Sequence, residues 1–133
     1  ATSEHIGYFA DILPTIAQLA GAPFPEKIDG ISIAPALLGS VRTGRTQPAH
    51  EYLYWEHDGS AMRAVRMGRW KAVRPAADAP VELYNLDADV GEQNNLAAER
   101  PDVVSKLEGI LSSAHSPAPP QIEPDPPAGA QYQ

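Results

Sequence analysis

The stretch Ala61 to Val73, AMRAVRMGRWKAV, narrows the folds open to this chain more than any other. Short runs of apolar and basic residues flank Gly68-Arg69, and in a strand successive side chains turn to opposite faces. A Gly-X pair between two such runs suits a two-residue type II′ turn, because glycine takes the positive φ of the first turn position without a Cβ clash. Antiparallel strands over residues 61–67 and 70–74 are therefore expected. Arg63 and Arg66 then fall on opposite faces, so at least one of them has to be covered by neighbours or point along an edge.

The segment from His50 to Trp55 is aromatic-rich and reads as a strand leading into the hairpin, followed by a polar loop over 56–60 that carries Glu56, His57 and Asp58. A fourth run, Val81 to Leu86, follows a proline-bearing turn and completes a small antiparallel sheet. Upstream, Phe9, Ile12, Leu13, Ile16, Leu19 and Ala20 recur at spacings of three and four, one stripe of a helix that should end at Gly21. Pro14 fits the first turn of that helix, whose N–H groups lack intrahelical partners, and Asp11 lies near the positive end of its dipole. Burying the stripe is worth about 10 kcal/mol gross, so something has to cover it. Residues 22–49 are broken by Pro23, Pro25, Gly30, Pro35, Gly39, Gly44 and Pro48, the pattern of an irregular connection with one helical turn at 35–39. After a polar loop over 87–100, Pro101 opens a second amphipathic helix with Val103, Val104, Leu107, Ile110, Leu111 and Ala114 on its stripe. Helix, sheet, helix is an α+β pattern.

The net charge of −7 argues against a nucleic-acid surface, which needs a concentrated basic patch. The arginines between Arg42 and Arg74 form a locally basic middle that reads as a solvated sheet face or an anion site. The absence of cysteine excludes a disulfide frame, a thiolate metal site and a cysteine nucleophile within these residues. No apolar run approaches the roughly 20 residues that cross a bilayer. Asp87-Ala-Asp-Val-Gly-Glu92 resembles the start of a calcium loop, but position 98, where a bidentate glutamate would stand, is alanine. Turn formation by the Asp and Asn side chains is the expectation there. The histidines at 5, 50, 57 and 115 lack zinc-binding spacing, and no nucleophile elbow or phosphate loop occurs. His57, between two carboxylates, is the residue to test first.

Several segments together, in this order, closely resemble the C-terminal region of arylsulfatases. They are Asp11 to Gly21, Asp29 to Gly39, Glu56-His-Asp-Gly59 with Arg63 to Lys71, and Glu82 to Leu86 with Glu92 to Ala97. The resemblance implies the C-terminal subdomain of an alkaline-phosphatase-like α/β fold. It further implies a parent enzyme that hydrolyses sulfate esters with calcium and a formylglycine made from the Cys or Ser of a Cys/Ser-x-Pro-x-Arg motif. That motif is not among these residues, so the nucleophile and every calcium ligand are expected upstream of Ala1. No catalytic residue and no metal ligand is assigned to this chain, which should be inactive by itself.

By the same resemblance, residues 1–49 form a helix and connection packed on the catalytic domain. Residues 50–115 form an antiparallel sheet of about four strands with a C-terminal helix, and the proline-rich tail over 116–133 is expected to be disordered. The expected partners are the catalytic domain and, through the whole enzyme, a sulfate ester that His57 helps to position. Neither nucleic acid nor membrane is expected to bind, and the apolar helix can drive self-association. Resemblance alone favours the periplasm or the exterior. The alternatives are the C-terminal part of a phosphonate or phosphate monoester hydrolase and a stand-alone interaction module using Tyr54, Trp55 and Trp70.

Overall fold

A computed structural model describes residues 3–24, 27–39, 42, 44–57 and 61–115. A single 3-10 turn, Phe9–Asp11, leads into α1 (Ile12–Ala20), and α2 (Ala34–Leu38) follows after a connection. The strands are β1 (Leu53–His57), β2 (Met62–Met67), β3 (Trp70–Arg74) and β4 (Glu82–Asn85), and α3 (Pro101–Ser113) closes the described part. The proline-rich tail lies outside the described residues, as does Asp58.

The sheet is an antiparallel meander in the order β1-β2-β3-β4. Met67 faces Trp70 across the hairpin turn, where Gly68 has φ 56° and Arg69 is not among the positive-φ residues. One positive φ at the first turn position is the mark of type II′ rather than type I′. Hairpin register also corrects one boundary. β1 begins at Leu53 rather than His50 and runs through Glu56 and His57, which were expected in a loop. β2 spans Met62–Met67, and its five paired residues Met62 to Arg66 set where β1 can ladder. As an edge strand with one face toward water, β1 tolerates the polar pair.

Alternation places Val65, Ala72 and Leu83 on one face, all fully buried, and α3 covers them with Val103, Leu107 and Leu111. Arg74 on the same face reaches Glu108 of α3, adding a charged contact at the rim. The loop after β4 is tied back to it: Asn95 Oδ1 accepts the Leu83 N–H at 3.0 Å, and Leu96 N–H donates to Leu83 O at 2.8 Å. Asp89 Oδ2 accepts the N–H groups of Gln93 and Asn94, both at 2.8 Å, so this acidic loop does use its carboxylate to build a turn.

Helix α1 ends at Gly21, which is left-handed at φ 66°. Its packing is the reverse of its hydrophobicity. The side turned inward carries Pro14, Thr15 and Ala17, whereas Ile12, Leu13, Ile16 and Leu19 are 47–59% exposed and Phe9 is 85% exposed. The helix packs on α2, while the sheet packs on α3.

Candidate functional site

The two halves are joined by one buried carboxylate. Asp11 is 2% exposed, and its Oδ2 accepts the Tyr8 N–H at 3.0 Å. Its Oδ1 accepts the Ile31 N–H at 2.8 Å and lies 2.8 Å from His50 Nε2. Burial by itself would raise the Asp11 carboxyl. The hydrogen bonds from Ile31, Tyr8 and His50 outweigh burial and hold it below the usual carboxylate range. Thr15 extends the junction: its hydroxyl donates to Asp11 O at 2.5 Å and accepts the Ile33 N–H at 2.9 Å. Gly30 makes the approach of residues 31–33 possible, since a Cβ there would lie 2.0 Å from Ala10 O.

A groove of about 460 Å³ opens beside this junction, with Tyr8, Asp29, His50, Tyr52, Tyr54 and Glu56 among its lining residues. The Tyr8 ring stands edge-on to His50 at 5.1 Å and to Trp55 at 6.3 Å. At the far end, Glu56 Oε2 accepts the Tyr54 hydroxyl at 2.7 Å and meets His115 Nδ1 at 2.7 Å. The His115 contact, ahead of the Tyr54 bond, holds the Glu56 carboxyl below its ordinary value. Burial first, then the hydrogen bond to Glu56, pushes the Tyr54 phenol up to about 12. The lining therefore offers aromatic rings, two carboxylates and histidines, a set that can stack on and hydrogen-bond an organic group.

His57 is the last residue of β1, exposed, and opposite Met62. Adjacent strand residues face opposite ways, so the polar cluster read from the sequence is split: Glu56 turns toward α3 and the groove, and His57 turns to the other face with Trp55. Of the four histidines, His50 and His115 are the ones brought onto carboxylates, by pairings that span 39 and 59 residues. Spacing carries no signal for contacts that distant. Among the described residues no three His, Cys, Asp or Glu side chains converge to hold an ion. A calcium ion therefore finds no site there, and no step is derived through one.

A family model described as N-sulphoglucosamine sulphohydrolase, C-terminal, matches residues 2–115. The chain belongs to this sulfatase family. Its sequence is 31% identical over 109 residues to arylsulfatase K of Danio rerio, covering 77% of this chain and 21% of that protein. It is 34% identical over 126 residues to human arylsulfatase A, covering 75% of this chain and 25% of that protein. Among solved structures, a 2-O GAG sulfatase superposes with a TM-score of 0.64 at 29% identity, over 78% of this chain and 23% of that one. This sulfatase chain thus spans a quarter or less of the length of these relatives, and its sheet and last helix are the C-terminal part of the alkaline-phosphatase-like fold. The phosphonate monoester hydrolase of Agrobacterium radiobacter, at 24% identity and a TM-score of 0.59, shares that fold and supports nothing finer.

Proposed function

We propose that the protein containing this chain hydrolyses sulfate esters, and that these residues buttress its catalytic part and border the substrate cleft. The family match over residues 2–115 carries the reading. The exposed apolar side of α1 supports it: Phe9, Ile12, Leu13, Ile16 and Leu19 form a surface of the kind that a larger body covers. In this proposal the calcium ion and the formylglycine nucleophile belong to the remainder of the protein. The cation would stabilise charge on the sulfate group, and the chain described here would supply no group to that step.

Within the proposal, the chain's own residues position the organic part of the ester. His57 is exposed at the end of an edge strand, where it can reach into a cleft formed with the catalytic part. The full-length protein should hydrolyse para-nitrophenyl sulfate faster than the matching phosphate monoester and phosphonate monoester, and residues 1–133 by themselves should hydrolyse none of them. Faster turnover of the phosphorus esters, or sulfate release by residues 1–133 alone, would sink the proposal.

A further inference from the structure

The β2–β3 hairpin carries a charge pattern that its fold does not require. Residues 61–77 contain Arg63, Arg66, Arg69, Lys71 and Arg74 and no carboxylate, in a chain of net charge −7. Strand register sets like charges opposite each other twice, Arg63 against Arg74 and Arg66 against Lys71. Such pairs cost stability in an antiparallel sheet. One member of each pair finds a carboxylate: Arg74 meets Glu108, and Lys71 Nζ lies 2.6 Å from Glu92 Oε1. Arg63 has Glu56 as its neighbour on β1.

Arg66 and Arg69 have no such partner. Among the described residues no carboxylate oxygen comes within 4.0 Å of either guanidinium. Arg66 Nε donates instead to Gly68 O at 3.1 Å, which pins the side chain along the turn. The Arg69 guanidinium lies 5.1 Å from the centre of the Trp70 ring, and Arg100 approaches the same ring at 5.1 Å while its charge is matched by a two-pronged pair with Asp102. The tip therefore holds two guanidiniums beside an indole, with their remaining donors unspent.

We propose that Arg66, Arg69 and Trp70 bind sulfate groups of a polysulfated saccharide chain. A guanidinium fork matches the oxygen edge of a tetrahedral oxyanion, and an indole face can stack on a sugar ring. The inference rests on the reading of the protein as a sulfate-ester hydrolase, which is what brings sulfated molecules to it. A nucleic acid fits less well, because its continuous charge would meet the negative balance of the whole chain. Glu4 and Glu51 line the groove of about 270 Å³ that Arg66 also lines, so they oppose an anion seated there.

The test is calorimetric titration of the full-length protein with a heparin oligosaccharide at low and at physiological ionic strength. Binding should be saturable, weaken as salt rises, and fall about five-fold for each of Arg66→Gln and Arg69→Gln, the range of an exposed ion pair. Glu51→Gln should tighten it. Both arginine variants should melt no lower than the wild type, since each removes a like-charge contact, and should hydrolyse para-nitrophenyl sulfate at the wild-type rate. Unchanged heparin affinity in the double variant overturns the proposal, as does equal affinity for double-stranded DNA or for anionic lipid vesicles. Loss of para-nitrophenyl sulfate hydrolysis in the wild type would overturn the sulfatase reading instead, and the two failures are distinct measurements.

Discussion

Asp11 carries three hydrogen bonds in a space that admits almost no water, and they come from chain segments at positions 8, 31 and 50. Removing the carboxylate leaves two buried N–H groups and an imidazole without an acceptor, each such loss costing about 1–3 kcal/mol before relaxation. Asp11→Ala should therefore lower the stability of the protein by about 3 kcal/mol, read as a drop in the urea midpoint with the slope unchanged. The pH dependence has a definite sign. The folded carboxyl is depressed from 3.8, so its contribution is complete above that ordinary value and disappears as pH falls below it through the folded value. Asp11→Asn should flatten this acid limb of the stability profile; an unaltered limb would show that other carboxylates govern it. At the other candidate position, His57→Ala in the full-length protein should raise KM or lower kcat for sulfate-ester hydrolysis. Wild-type kinetics in that variant would remove His57 from the cleft.

Among the elements, two glycines separate close approach from mere tolerance. At Gly30 a Cβ would lie 2.0 Å from Ala10 O and 2.5 Å from Ala10 C, backbone atoms that cannot rotate away. Gly30→Ala should cost about 1–3 kcal/mol, the usual penalty for forcing atoms into filled space, and should loosen α1 from residues 31–33. Gly109 in the middle of α3 meets nothing within 4 Å. Gly109→Ala should stabilise α3 by up to about 1 kcal/mol through helix propensity alone. Thermal melts of the two variants should move in opposite directions, and a shared direction would refute the packing described around Gly30. The sheet shows the same dependence on neighbours. Glu56 and His57 have the composition of a loop, yet pairing with Arg63 and Met62 draws them into β1.

For the whole molecule, the decisive contrast is between α3, whose apolar stripe is buried on the sheet, and α1, whose stripe faces outward. Residues 1–133 expressed by themselves should bind a hydrophobic dye and self-associate through Ile12, Leu13, Ile16 and Leu19. Ile16→Glu should abolish both effects in the short chain. In the full-length protein the same substitution should lower the melting temperature, because there it places a charge in a covered interface. A monomeric, dye-free short chain would contradict the assignment of this face to the catalytic part.

Whatever depends on near neighbours could be read from the sequence. The hairpin and its turn follow from Gly68-Arg69 between two strand-like runs, the end of α1 from Gly21, and the start of α3 from Pro101, because backbone sterics and side-chain periodicity act within a few residues. The four-stranded sheet and its covering helix follow from these elements in order. Tertiary structure alone decided that Asp11 meets His50, that Glu56 meets His115 while His57 turns away, and that α1 hides its polar side. Those contacts join residues far apart in the chain, and their selection rests on satisfying buried donors and acceptors in three dimensions, for which sequence spacing leaves no trace.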